Sequence, residues 1–250
     1  MYYYVIEPGK SGLSKGKIEK IKSVLIDLGI SGEIVAASPA RTTPELVEMG
    51  IAKGYSTIVA VGDEYHINRV AECLFEKNVA LGIIPSDPNP KILKLINCDF
   101  DLRQICLCLK QRRLKEIDMG RIEPNRYFLT EAEIHENQPF DIIGQFDSFF
   151  IQTLITDLVV NNELYCYLTN NNEGGGLLQK TWSYLLGKEE KILDQSIFSS
   201  KVITIRTRKP VNVKIGGQIV SRTPLIVVLK TKALQIIVSR VKIQETKETE

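Results

Sequence analysis

The sequence predicts an α/β fold in two parts: an N-terminal three-layer α/β domain with a parallel sheet, and a C-terminal β-sandwich-like domain. Residues 1–114 alternate between short apolar runs and amphipathic segments, a pattern typical of parallel strands joined by right-handed helical crossovers. Later residues form short β-rich runs between turns that contain Asn, Gly and Pro. With 250 residues the chain is long enough for two cores. We predict domains at 1–114 and 115–250, with a site in the cleft between them.

The N-terminal domain is predicted to contain four strands, each followed by a helix. Helix 17–28 has its apolar residues at helical spacing and is closed by Gly29. The next helix begins with Thr43 as N-cap and Pro44 as its first residue, and it ends near Gly54. The predicted strands are 2–6, 33–37, 57–61 and 80–84, and the remaining helices are 67–76 and 101–114.

The C-terminal domain is predicted to be mostly antiparallel β structure with one helix, at 177–186. A run of three glycines, 174–176, precedes that helix as a turn or a flexible connection, and residues 245–250 form a polar tail. The predicted strands are 115–122, 126–134, 149–158, 163–168, 201–207, 211–215, 224–229 and 234–241.

The composition is that of an ordinary soluble globular protein, with 44% hydrophobic and 25% charged residues. The longest apolar run, 225–229, has the length of a strand rather than a membrane span. The N-terminus lacks the features of a signal peptide, so we expect a cytoplasmic protein. The five cysteines form no Cys-x-x-Cys pair and the two histidines lie in unrelated contexts, so we expect free thiols and no metal centre.

The junction after the third predicted strand is the most informative local feature. A buried strand runs into Gly62, and a helix follows within a few residues. In parallel α/β folds, phosphates bind at such junctions against the free N–H groups of a helix N-terminus. Here the turn continues with bulky and acidic residues, Asp63, Glu64, Tyr65 and His66.

Short motifs occur in a fixed order along most of the chain. They are Glu7-Pro8 with Ser11-Gly12, Val61-Gly62, Asn68-Arg69-Val70, Leu81-Gly-Ile-Ile-Pro85, Asp118-Met-Gly-Arg121, Arg126-Tyr-Phe128, Gly174-Gly-Gly176, and Gly216-Gly-Gln218 before Thr223-Pro224. In order and spacing they resemble the diacylglycerol-kinase-like lipid kinases, a family related to NAD kinases. The resemblance implies ATP and Mg²⁺ as cofactors. It places the cofactor-binding positions at Ser11, Gly12, Gly62, Asp63, Glu64, His66, Asn68 and Asp87.

Three active-site segments depart from the family pattern. The family's Gly-Gly-Asp-Gly-Thr falls on residues 62–66, where only Gly62 is retained and Glu64 replaces the Asp. The family's Gly-Thr-Gly-Asn-Asp reads Asp-Pro-Asn-Pro-Lys at 87–91, and the two prolines remove N–H donors. The family's Asp-Gly-Glu reads Gly-Gly-Gln at 216–218, which leaves no general base. We therefore assign no catalytic residue and predict a kinase fold that has lost phosphotransfer but keeps a binding or regulatory role.

Two other functions stay open at this stage. The chain is an active ATP-dependent kinase of diacylglycerol or sphingoid lipids if Glu64 serves the metal and Asp63 or Asp87 takes over acid–base work. It is a structural partner subunit if it acts only beside an intact kinase. The single residues are equally open: Glu64 is a Mg²⁺ ligand or a partner of the helix dipole, and His66 is a titrating group or a polar residue at a helix start.

The distribution of charge points to a further surface. Residues 201–244 contain ten Lys and Arg and no Asp or Glu. The pairs Arg206/Arg208, Lys230/Lys232 and Arg240/Lys242 are each two residues apart, so each pair is predicted to project from one face of its strand. Such a surface favours anionic lipid headgroups and a peripheral position at a membrane. Nucleic acid is disfavoured because the stretch contains no aromatic residue. The alternative is an ordinary solvated face balanced by acids elsewhere.

Overall fold

The computed structural model describes residues 1–7, 13–147, 149–170 and 195–240. The chain divides into two compact units: one contains Met1–Asp118 and the chain from Thr231 onward, and the other contains Met119–Lys230. The change of unit after Asp118 lies close to the predicted boundary at 114. The return of the chain to the first unit at Thr231 is not foreseen from the sequence. The predicted helix 177–186, the triple glycine and the tail 245–250 lie outside the described residues.

The first unit alternates strands and helices as predicted. Its elements are β1 (Tyr2–Ile6), α1 (Lys15–Asp27), β2 (Gly32–Ala36), α2 (Thr43–Ala52), β3 (Thr57–Gly62), α3 (Glu64–Cys73), β4 (Ala80–Pro85), α4 (Pro90–Ile96) and α5 (Leu102–Gln111). The strands pair in the order β2-β1-β3-β4, all parallel. The helices form two contacting pairs, α2 with α3 and α1 with α5, in agreement with a three-layer α/β arrangement.

Local signals explain where these helices begin, and they correct three predictions. The N-cap of α2 is Thr42 rather than Thr43, and its N–H donates to the Glu45 carboxylate at 2.7 Å. Helix α3 begins at Glu64 rather than at residue 67, because Asp63 caps it. Helix α4 was not predicted: its first residues lie in the segment 87–91 that matches the family's second nucleotide loop, but Asn89 acts as N-cap and Pro90 is its first residue.

The second unit is built from antiparallel strands. The remaining strands of the chain are β5 (Leu114–Ile122), β6 (Arg126–Phe128), β7 (Glu131–Phe146), β8 (Phe149–Asn161), β9 (Tyr165–Thr169), β10 (Gln195–Ser199), β11 (Val202–Thr207), β12 (Asn212–Ile215), β13 (Gln218–Arg222) and β14 (Leu225–Ile237). Neighbouring strands follow the order β10-β9-β8-β7-β11-β14, and the β12–β13 hairpin joins β7 through β12. The end of β14 pairs in parallel with β4, within the first unit.

Alternating residues of these strands enclose one hydrophobic core, as a sandwich-like β domain requires. Phe128 and Phe146 are its largest fully buried side chains. The strand predictions err where turns or bulges were misjudged: residues 126–134 are shared between β6 and β7, and β14 is one strand where two were predicted. Strands β10 and β13 and the second half of β7 were not predicted.

Candidate functional site

The predicted phosphate-binding junction lies at the carboxyl ends of two neighbouring parallel strands, β1 and β3. Ile6 of β1 pairs with Val61 of β3, so the residues that follow them, Glu7 and Gly62, meet at the same edge of the sheet. The Glu7 N–H continues the ladder by donating to the Val61 carbonyl at 3.0 Å. This edge is where an α/β fold of this type binds ligands.

The side chain of Glu7 fills the position in front of the turn. Its Oε2 accepts a hydrogen bond from the Asp63 N–H at 2.7 Å, and only 2% of the residue is exposed. Its Oε1 is buried with no hydrogen-bond partner among the described residues. Burial raises the pKa of Glu7, and the charges of Asp63 and Asp87 raise it further, while backbone hydrogen bonds from Asp63 and Leu13 act in the opposite direction. The Asp63 N–H, at a position where folds of this type bind anions, therefore already donates to a carboxyl group of the chain itself.

Asp63 uses a second N–H group of the same turn. It is the N-cap of α3, and its Oδ1 accepts from the His66 N–H at 2.8 Å. A carboxylate here also interacts favourably with the positive end of the helix dipole. Two N–H groups at the start of α3 thus have carboxylate partners from within the chain.

Gly62 is required here for space. Its φ is not in the left-handed region. A Cβ added to it would lie 2.6 Å from Glu7 Oε2, 2.8 Å from Glu7 Cβ and 3.0 Å from His66 Cδ2. The one glycine that the family pattern and this chain share therefore permits two side chains of the chain itself to pack against the turn.

His66 is a buried structural residue, 3% exposed. Its Nε2 lies 2.9 Å from the Val5 carbonyl, and because a carbonyl only accepts, Nε2 carries the proton and donates. Its Nδ1 lies 3.5 Å from the Thr43 hydroxyl. Burial lowers the pKa of His66, although the Val5 hydrogen bond and the Asp63 charge oppose this shift. The ring is thus held neutral and joins α3 to β1 and α2.

The second family loop is linked to the first through Asn89. Its Nδ2 donates to Glu64 Oε2 at 2.7 Å, and its Oδ1 accepts from the N–H groups of Lys91 and Ile92. Asn68 lies one turn into α3 and donates to the Glu64 carbonyl at 2.9 Å. Asp87 is exposed and accepts from the Ser86 hydroxyl. The donors at the start of α4 are therefore directed to Asn89.

The structure brings six of the eight predicted cofactor-binding positions to this edge of the first unit: Gly62, Asp63, Glu64, His66, Asn68 and Asp87. Ser11 and Gly12 lie outside the described residues. Sequence reasoning missed Glu7 and Asn89 as site residues. Both had a signal: Glu7 directly follows a buried strand that ends at the ligand-binding edge, and Asn89 precedes a proline, as helix N-caps often do.

The third family segment forms a hairpin turn. Gly216 and Gly217 both have positive φ, 53° and 76°, and Ile215 pairs with Gln218 across them. A two-residue turn of this kind needs positive φ at both central positions, which glycine adopts without strain. Gln218 is exposed at the start of β13. This segment offers no carboxylate, as predicted.

The basic stretch is only partly free of acids. Strands β11 and β14 are neighbours, as the predicted surface requires. However, Arg208 forms an ion pair with Asp141 of β7 at 2.9 Å. Lys232 has a φ of 50°, which interrupts the alternation of β14, and its N–H donates to Asp118. Lys242 lies outside the described residues. Of the predicted cations, Arg206 and Lys230 lie on one face of the sheet formed by β11 and β14, as expected.

The sheet face of the second unit that carries Arg206 also exposes large apolar side chains. Strand register places alternate residues of β7, β8, β11 and β14 on this face. Phe150 is 71% exposed, and the other side chains are 41–49% exposed. We call this surface the outer face; its apolar members are Ile143, Phe150, Leu154, Val202 and Ile226.

Metal and membrane features are limited in the part of the chain that the structure describes. No group of three or more His, Cys, Asp or Glu side chains there has the arrangement of a metal site. Among the described helices, none has the length and hydrophobicity needed to cross a bilayer.

The comparison with solved structures identifies the fold. No protein-family model matches the sequence, and no curated protein matches it. A solved diacylglycerol kinase from Bacillus anthracis strain Sterne superposes with a TM-score of 0.73 at 14% identity, covering 95% of this chain and 97% of that one. A further structure from this organism, provisionally assigned as a diacylglycerol kinase, has a TM-score of 0.74 at 13% identity and covers 96% and 98%. The chain therefore has the fold of the diacylglycerol kinases.

Proposed function

We propose that this protein is a divergent member of the lipid-kinase fold that does not catalyse ATP-dependent phosphotransfer and instead has a binding role. The observation that carries the proposal is the Glu7 carboxylate, which accepts the Asp63 N–H at the turn where a phosphate would bind. A triphosphate can use this turn only if the Glu7 side chain leaves it. Because Gly62 is in close contact with Glu7, the carboxylate is tightly packed and not loosely placed.

Electrostatics also oppose a nucleotide at this turn. Glu7, Asp63 and Glu64 place three carboxyl groups around the start of α3. One like-charge contact at ~4 Å costs on the order of 4 kcal/mol at an effective dielectric of about 20. This energy corresponds to about three decades of affinity. The residues present thus fit a triphosphate and its metal poorly, and we derive no catalytic step through them.

Calorimetric titration of the protein with ATP and Mg²⁺ tests this proposal. We expect no saturable heat at nucleotide concentrations up to the millimolar range, because two N–H groups of the turn, those of Asp63 and His66, already donate to carboxylates of the chain. A micromolar dissociation constant would contradict the proposal. Transfer of labelled phosphate from ATP to diacylglycerol or a sphingoid lipid, abolished by Glu64→Gln, would establish the alternative of an active kinase.

For the binding role, we propose an anionic membrane surface as the partner. The outer face combines five exposed apolar side chains with Arg206 and Lys230. Apolar groups that enter the interface and cations that meet lipid headgroups are the two components of peripheral membrane binding. Sedimentation with phosphatidylglycerol vesicles tests this role, and we expect binding that weakens as salt is added. Vesicles of phosphatidylcholine alone serve as the uncharged control.

A further inference from the structure

A cavity of about 360 Å³ lies in the first unit, away from the turn that follows β3. It is bounded by the ends of α4 and α5, the first residues of β5, and the chain just after β14. Its volume lies in the range typical of small-molecule sites. Neither the family motifs nor the proposed function uses these residues.

Three exposed cations line this cavity: Lys94 of α4, Arg113 between α5 and β5, and Lys115 of β5. Among the described residues, the lining contains no acidic side chain. Within the described residues, none of the three forms an ion pair. Some other cations of this unit are paired, such as Lys53 with Glu33 and Arg69 with Glu72. The cavity therefore concentrates positive charge that the described protein does not neutralise.

Helix dipoles account for only part of this charge. Both α4 and α5 end at the cavity, so their carbonyl ends favour nearby cations. Each helix end carries roughly half a negative charge, so two ends balance about one cation of the three. Some of these carbonyls also have other partners, since Ile96 O accepts from the Ser239 N–H at 2.8 Å.

Backbone hydrogen bonds hold the wall of the cavity in place. The Val238 N–H donates to the Arg113 carbonyl at 2.9 Å, next to the bond between Ser239 and Ile96. At the next residue of each segment, Asn97 Nδ2 donates to the Arg240 carbonyl at 3.2 Å. A wall fixed in this way is formed before a ligand arrives, so binding does not have to order it.

We infer that this basic cavity binds a phosphate-bearing anion. An Arg guanidinium offers two parallel N–H groups to phosphate oxygens, and lysines add charge without a fixed geometry. The apolar side chains of Leu95, Leu114 and Val238 line the same cavity and fit a carbon-containing remainder of the ligand. Phosphate on a soluble metabolite and phosphate in a lipid headgroup share this chemistry.

Titration of the full chain with inorganic pyrophosphate at low salt tests the inference. We expect saturable binding at one site, weakened at least tenfold in the triple variant Lys94→Gln/Arg113→Gln/Lys115→Gln. The matched control is Lys15→Gln/Lys17→Gln/Lys20→Gln, which removes the same charge from exposed positions of α1 and should keep the affinity. Absence of saturable binding, or an equal loss in both variants, would overturn the inference. Arg113→Lys, which keeps the charge, should weaken binding by a smaller factor.

Two further arms distinguish the sources of the phosphate. Glycerol 3-phosphate represents the soluble source, and vesicles that contain phosphatidic acid represent the lipid source. Whichever ligand loses affinity in the cavity variant but not in the α1 control identifies the source. Phe150→Ser on the outer face should leave the pyrophosphate affinity unchanged, so this result is independent of the vesicle experiment proposed above.

Discussion

The packing around Gly62 depends on the side chains that face it, because a Cβ there would meet both Glu7 and His66. We expect Gly62→Ala to lower the free energy of unfolding by about 1–3 kcal/mol, as overpacking typically does. Combining it with Glu7→Ala should give less than the sum of the single effects, since Glu7→Ala removes the shortest contact, the one with Oε2, while the contact with Cβ remains. Urea unfolding measures all three variants.

The control for this experiment lies in α1. Among the described residues, a Cβ at Gly16 would meet only the Ser14 hydroxyl oxygen, at 3.9 Å. Gly16→Ala should therefore stabilise the protein by up to about 1 kcal/mol, through helix propensity alone. Additive effects of Gly62→Ala and Glu7→Ala would contradict the packing that we describe around the turn.

The protonation of Glu7 makes a separate contribution to stability. Because burial raises its pKa above the ordinary value of 4.5, the folded chain holds this proton more tightly than the unfolded chain. Stability that depends on Glu7 is thus fully present below pH 4.5 and is lost as the pH rises through the folded pKa. Relative to Glu7→Gln, the wild-type protein should lose stability across this window, as measured by urea unfolding at a series of pH values.

Glu45→Gln is the matched control, because the sign of its effect is opposite. Hydrogen bonds from the Thr42 N–H and hydroxyl lower the pKa of Glu45. Its contribution is present above the unfolded pKa and is lost as the pH falls. Parallel pH profiles for the two Gln variants would show that Glu7 does not titrate as a buried carboxyl group.

At the level of elements, Asn89 at the start of α4 forms a hydrogen bond with Glu64, and so joins the two segments that match the family's nucleotide-binding loops. We expect Asn89→Ala to lower the free energy of unfolding by about 1–2 kcal/mol, because it removes the helix cap.

Asn89→Asp keeps the cap acceptor but replaces the donor that faces Glu64 with a second carboxylate. Thermal or urea unfolding at neutral pH should show the Asp variant to be less stable than wild type, and Glu64→Gln should recover part of that loss in the double variant. Equal effects of Glu64→Gln in both backgrounds would contradict the coupling.

The elements that sequence analysis predicted are those that local patterns determine. Buried apolar strands such as β3 and β4 are recognisable from composition. The predicted start of α3, residue 67, lies only three residues after the observed start at Glu64. Helix α4 was missed because two prolines so close together are typical of a loop, although Pro90 occupies the first helical position. The second half of β7 was missed because it contains Pro139 and follows a register shift between His135 and Phe140.

The site was harder to predict than the fold because its central contact is not local. Glu7 and Asp63 are separated by 56 positions in the sequence, and the pairing of β1 with β3 brings them together. The loss of glycines after Gly62 predicts a damaged phosphate site, but no local pattern predicts that Glu7 accepts a hydrogen bond at this turn. Such contacts follow only when strand order and register are known.

At the scale of the whole molecule, the proposed membrane role predicts an effect for each component of the outer face. Apolar burial and charge contribute separately to the free energy of vesicle binding, so a separate variant tests each of them. Arg206→Gln/Lys230→Gln removes two cations, each contributing about 1 kcal/mol near an anionic surface, and should weaken binding to phosphatidylglycerol vesicles roughly 30-fold. Its effect should disappear in high salt.

Phe150→Ser removes the most exposed aromatic side chain of the outer face, 71% exposed. If the ring enters the bilayer interface, its loss should weaken binding by about 1.5–3 kcal/mol, at low and at high salt alike, because apolar burial is not screened by ions. Ile26→Ser is the matched control, since Ile26 of α1 is 76% exposed and lies in the first unit. Vesicle sedimentation measures the binding of both variants. An equal loss of vesicle binding for Ile26→Ser, or no loss for Phe150→Ser, would show that the outer face is not the surface that contacts the membrane.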